Sequence, residues 1–172
     1  MSSSHGDAPI RTDETEPRAT IRVFVDADAC PVKNEVYRVA RRYELQVRVV
    51  ANSWISIPED ESFDLIVVEG QFDAADDWIV DNCGPGDIVI CDDIPLAARA
   101  LERGARALSP RGRPFTEDSI GGALATRELM SQLRDMGTVT GGPAPFAKRH
   151  RSQFLQQLDQ TVQDLRKQGP RR

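Results

Sequence analysis

The sequence predicts an α/β domain: a mostly parallel central sheet with helices layered on both faces, and a helical extension at the C-terminal end. Three observations carry this expectation. Short β-branched runs alternate with segments of helical period from Ile21 to Leu108, the pattern of βαβ units. One of those runs, within DLIVVE (64–69), is uncharged between its end acids, as a strand covered on both faces would be. The chain has 172 residues, 40% of them hydrophobic, enough for one domain with a real core.

Taken in order, the polar stretch 1–20 reads as a disordered tail, and 21–168 as a single domain followed by a tail at 169–172. Ile21 to Val25 form a first strand stopping at Asp26, and a helix starts near Pro31, whose missing N–H costs nothing in a first turn. VKNEVYRVARRY carries Val32, Val36, Val39 and Tyr43 at helical spacing, so one face packs on the sheet. LQVRVV is the second strand and DLIVVE the third, joined by the loop NSWISIPEDESF. DAADDWIVDNC is a short helix, DIVIC a fourth strand after the turn GPGD, and IPLAARALERG a helix closed by Gly104. ARAL is a fifth strand and SPRGRPF a basic loop. A helix from about Asp118 to Met136, the loop 137–151 and a last helix with Phe154, Leu158, Val162 and Leu165 on one face make the extension. The loop's Gly-Gly-Pro and basic end suggest a segment that closes over phosphate, the alternative being a plain linker between two helices.

The charge of −5 disfavours a protein that simply coats nucleic acid. That average hides a segregation: Val49 to Ala98 holds twelve acids and no Lys or Arg, while bases lie on either side. Such a pattern suits a metal site beside a polyanion track. Apolar runs fall short of the ~20 residues of a membrane helix, and the N-terminus lacks a signal peptide's apolar region, so the expectation is a cytoplasmic protein with no membrane partner. Three cysteines without CxxC spacing, Cys30, Cys83 and Cys91, read as small buried thiols rather than as a disulfide or zinc framework.

Three predicted strand ends bring acids to one rim: Asp26 and Asp28 after the first, Asp73, Asp76 and Asp77 after the third, Asp92 and Asp93 after the fourth. Asp73, Asp77 and Asp81 form a stripe at i, i+4 and i+8, with Ala75, Trp78 and Ile79 turned toward the core. Crowded carboxylates take up protons or gather a cation. Oxygen-only donors suit Mg²⁺ or Mn²⁺, which polarise phosphoryl oxygen. Asp73 and Asp93 stand equally well as helix N-caps, and Asp87 as a turn residue. Asp76, Asp81 and Asp92 read as solvated or supporting acids. Asp26 has no evident structural task.

DADACPVK (26–33), FDAADDWI (72–79), GDIVICDDIPLA (86–97) and TGGPAPF (140–146) together resemble the uncharacterised bacterial YaiI/YqxD family, from about Ile21 to Leu165. Where the family's third motif has Thr-Gln, this chain has Cys91-Asp92, so Asp93 matches and Asp92 is extra. The family is in turn similar to PIN-like nuclease domains. That likeness implies a PIN-like three-layer fold, with acids at the first strand end, at the start of a central helix and in a turn after the fourth strand; Asp26, Asp73 and Asp93 with Leu96 fit that plan.

The resulting expectation is a divalent-metal-dependent nuclease acting on RNA or DNA. Asp26, Asp73, Asp77 and Asp93 are its catalytic metal ligands and Asp28 an additional one, meeting around one Mg²⁺ or Mn²⁺; Lys33, Arg99, Arg111 and Arg113 position phosphates. Two other classes stay open. Hydrophobic strand then D-x-D also resembles haloacid-dehalogenase-like phosphatases, which need a Lys or Arg shortly before the last acidic motif; the window 49–98 has none. The third is a non-catalytic PIN-like module that binds nucleic acid.

Overall fold

The structure, a computed structural model, describes residues 20–71, 73–135 and 145–168. The expected tails through residue 19 and after residue 168, and most of the loop 137–151, lie outside these residues. Five strands, β1 (Arg22–Asp26), β2 (Gln46–Ala51), β3 (Phe63–Val67), β4 (Ile88–Ile90) and β5 (Arg106–Leu108), form one sheet in the order β3-β2-β1-β4-β5. Every neighbouring pair is parallel. Among the described residues the α-helices are α1 (Lys33–Tyr43), α2 (Ala74–Asn82), α3 (Ile94–Glu102), α4 (Glu117–Asp135) and α5 (Lys148–Lys167).

Alternating strand residues feed two cores, as the pleat requires. On one face Val23, Val25, Val47, Val49, Ile88 and Ile90 pack with Val36, Val39 and Ala40 of α1 and with Phe154, Leu158 and Val162 of α5. On the other, Phe24, Val50 and Val89 meet Ala75 and Ile79 of α2, Leu96, Ala97 and Ala100 of α3, and Ile120 of α4. The last helix is therefore less an extension than the second half of a layer. Polar contacts fix it there: Asp159 accepts from the Tyr43 hydroxyl at 2.7 Å and pairs with Arg42 at 3.2 Å. The Tyr43 hydrogen bond leads the influences holding Asp159 below the usual carboxylate range.

The third strand departs from the sequence expectation. It is an edge strand, with Asp64 exposed, Leu65 and Ile66 half-buried and Val67 exposed. An uncharged run signals apolar surroundings without saying whether a partner strand follows, and here none does among the described residues. The other elements fall where the alternation places them. The helix after β3 ends at Asn82, and Gly104, at φ +89°, takes the left-handed position behind α3. A short 3₁₀ turn, Ala27–Ala29, intervenes before α1.

The strand order has a functional consequence. The chain steps outward from β1 to β2 and β3, then returns to the other side of β1 for β4 and β5. Neighbouring β1 and β4 therefore send their following segments to opposite faces, the arrangement in which open α/β sheets place a crevice beyond the carboxyl ends. Asp26 is the last residue of β1; Asp93 lies three residues beyond Ile90 of β4.

Candidate functional site

Asp26, Asp76 and Asp93 form the inner group at this crevice. The Asp26 carboxyl is half-buried and pushed up to about 6, first by burial and then by the charges of Asp76, Asp28 and Asp93, against which a hydrogen bond from the Asp28 backbone N–H works weakly. Asp76 is likewise pushed up to about 6, by burial and then Asp93 and Asp73, with Arg99 opposing. Asp93 thus acts on both. Beneath them Cys91 is buried, its thiol driven above the ordinary cysteine range by desolvation and then by Asp26. Its Sγ donates to the Asp93 carbonyl at 3.6 Å. Cys30 is also buried, and desolvation raises its thiol to about 11. Neither is poised as a thiolate, and all three cysteines are free and buried as expected.

The capping alternative divides the two candidates. Asp93 is the N-cap of α3: its Oδ1 accepts from Leu96 N–H at 3.0 Å. Asp73 occupies the N-cap position of α2 but accepts no capping hydrogen bond among the described residues. The expected stripe of Asp73, Asp77 and Asp81 is exposed along its length. Asp77, expected as a metal ligand, pairs at 3.1 Å with Arg99, expected to position phosphate. Asp28 accepts from Asn52 Nδ2 at 2.8 Å, tying the end of β2 to the turn after β1.

Asp76, expected as a solvated or supporting acid, is partly buried. A signal was present: in α2 it precedes the buried Ile79 and Val80 by three and four residues, so it belongs to the inward side of the helix. Asn52, directly after β2, was missed because its partner is 24 residues away. Lys33 is turned into the fold, donating to the carbonyls of Ala27 at 3.3 Å and Cys30 at 3.0 Å. Among the described residues no group of three or more His, Cys, Asp or Glu side chains is arranged to hold a metal ion. The acids share one rim without closing on a point.

Beyond β5 the rim turns basic. Burial pushes the Asp92 carboxyl up, with Arg111 opposing and Asp93 adding to the rise. Arg111 and Arg151 lie over the Phe146 ring at 5.9 and 5.1 Å from its centroid. Desolvation, followed by Arg111, Arg149 and Arg113, depresses the His150 imidazole. Its Nδ1 accepts from the Ala147 N–H at 2.8 Å.

Fold and rim define an open parallel α/β protein with an acid-lined crevice at its topological switch point. The chain belongs to the uncharacterised YaiI/YqxD family, whose sequence profile matches residues 24–164. It is 55% identical over 157 residues to a UPF0178 protein of Brucella ovis, covering 91% of this chain and 97% of that one. UPF0178 proteins of Brucella canis and Brucella suis biovar 1 are 54% identical over the same length and coverage. The family resemblance carried by the four motifs is thus borne out. Among the described residues no helix is long and apolar enough to cross a membrane.

Proposed function

We propose that this protein is a Mg²⁺- or Mn²⁺-dependent phosphodiesterase acting on RNA or DNA. The observation that carries the reading is the pair of carboxyls, Asp26 and Asp76, raised to about 6 at a strand-end crevice where the charges acting most strongly on Asp26 are all acids. Such crowding is a standing demand for positive charge. Mg²⁺ is commonly held by one or two carboxylates, with water and substrate phosphate completing its sphere, so a rim that does not close on a point still fits it. Asp26 and Asp93 would hold the ion, with Asp76 and Asp73 beside them and Asp28 steadied by Asn52. When bound, the metal polarises a phosphoryl oxygen and acidifies a water.

The chain's own residues contribute placement. Asp93 is fixed by its cap to α3, Asp26 by its strand, and Arg111 and Arg113 offer positive charge to a phosphate backbone arriving beside the acids. Arg99, paired with Asp77, limits the spread of negative charge along α2. The test sets wild type against Asp26→Asn, with Mn²⁺, on single-stranded RNA, on the corresponding single-stranded DNA and on a chromogenic phosphate monoester. Cleavage of RNA or DNA by the wild type should fall by orders of magnitude in the variant. Monoester turnover without cleavage of RNA or of the corresponding single-stranded DNA would point to a phosphatase, and inactivity on all three substrates to a binding module.

A further inference from the structure

Two features at the ends of the acid rim are unexplained by the crevice itself. The first is a groove of about 330 Å³ between the turn Arg111–Gly112–Arg113 and four glutamines of α5, Gln153, Gln156, Gln157 and Gln160. These glutamines recur at i, i+3, i+4 and i+7 on one helix face; Gln160 donates its amide to Asp164 at 3.0 Å, while Gln153, Gln156 and Gln157 bring further amide groups to a groove whose lining contains no carboxylate. The opposing turn is built onto the helix: Gly112 has φ +87°, and a Cβ there would stand 2.7 Å from the Gln153 carbonyl carbon. Only glycine allows that approach, which keeps the two arginines against the glutamine face.

The second feature is Trp54, 73% exposed. It follows Asn52 by two residues, hence within ~7 Å of chain, and Asn52 holds Asp28. The chain's other tryptophan, Trp78, packs against Phe24 with ring centroids 6.0 Å apart. Sheet order places the two features on opposite sides of the acids: Trp54 follows β2, Asp26 ends β1, Asp93 follows β4 and Arg111 follows β5. Three strand spacings, roughly 14 Å, separate the ends.

We infer that the rim is a track for a single-stranded nucleic acid, one base stacking on Trp54 and the backbone continuing past the acids into the Arg111–Arg113 groove, where glutamine amides meet base edges. The inference rests on the phosphodiester reading for what happens between the two ends. Each element has chemistry suited to a single strand: an exposed aromatic face accepts any unpaired base, arginines take phosphates, and amides pair with hydrogen-bonding edges that a duplex would hide. A duplex presents no splayed base to Trp54.

The experiment reads binding without turnover. The full chain, in Ca²⁺ or in EDTA, is titrated with a labelled short single strand, as RNA and as DNA, and with a duplex of the same sequence, following label anisotropy and tryptophan emission. The single strand should bind better than the duplex and quench the emission. Trp54→Ala should abolish the quenching and raise Kd by about five- to a hundredfold. Gln153→Glu with Gln156→Glu, at exposed positions on α5, should raise Kd about tenfold by setting like charge against phosphate, with an unchanged melting curve confirming the fold. Absence of binding by the wild type, a preference for duplex, or unchanged affinity in both variants would overturn the track. Binding as expected without Mn²⁺-dependent cleavage would keep the track and remove the phosphodiesterase; cleavage with unchanged variant affinities would do the reverse.

Discussion

Asp26 and Asp87 stand at opposite edges of the two central strands and are treated in opposite ways. Asp87, just before β4, is buried and fully served: Arg22 at the start of β1 pairs with it at 2.7 Å, and Gly84 N–H donates to it at 2.9 Å. Arg22 also lies over Phe24 and donates to the Asn82 carbonyl. Asp26, ending β1, is surrounded by Asp28, Asp76 and Asp93. Where an acid serves the fold, the chain provides its counter-charge within the same pair of strands. At the other edge it gathers more acids instead, which marks the carboxyl rim as a place left for something brought from outside.

The contrast can be broken by exchange of single oxygens. Asp87→Asn leaves the Arg22 guanidinium without its partner and should cost about 3 kcal/mol, the low end for a buried pair because Arg22 is 38% exposed. Asp26→Asn removes repulsion and should leave metal-free stability level or higher. Urea denaturation of both variants decides, and equal losses would erase the distinction. Next in size, Mn²⁺ should raise the melting temperature of the wild type, by about 2.7 kcal/mol of stabilisation at a hundredfold excess over Kd, and raise it much less in Asp26→Asn. Differential scanning calorimetry with and without the ion measures this.

Acidity sharpens the same comparison. With Asp26 and Asp76 at about 6 in the fold against 3.8 ordinarily, the native state holds more protons than the unfolded chain between those values. Metal-free stability should therefore fall as pH rises from about 4 to about 6 and remain lowered above. Both groups are partly solvated, so this contribution is on the order of 1 kcal/mol, or about 2–4 °C in melting temperature. It should shrink in Asp26→Asn, as thermal melts across that range will show. The smallest effect belongs to Arg99→Gln: breaking an exposed pair with Asp77 should change stability by under about 0.5 kcal/mol. Loss of the cation should still move the Asp76 titration upward, a change visible by carboxyl NMR.

How much of this was legible depended on sequence distance. The strands and helices were readable because β-branched runs and helical spacing are local, and the alternation of the two implies parallel pairing. Asp26 stood out because a buried strand ended in an acid with no capping task. The cap that Asp93 forms was visible, because its partner Leu96 lies three residues away. Asp76 was obscured by the more conspicuous i, i+4 stripe beside it, and the edge position of β3 by a run whose composition reports surroundings rather than neighbours. The groove could not be read at all: it exists because Gly112, after β5, rests on the Gln153 backbone of α5, some forty positions along.

The order of the strands also fixes when the rim can come into being. Its acids assemble only once β1 pairs with β4, segments 65 residues apart as measured by the Arg22–Asp87 contact. Closing so long a loop is slow, and the final approach brings like charges together while the Arg22–Asp87 attraction at the far edge draws the same strands in. If the proposed ion binds there, it would recognise the finished sheet rather than its precursors. Such an ion would lengthen the lifetime of the folded state more than it would hasten folding, a latch on the central strand pair rather than its nucleus.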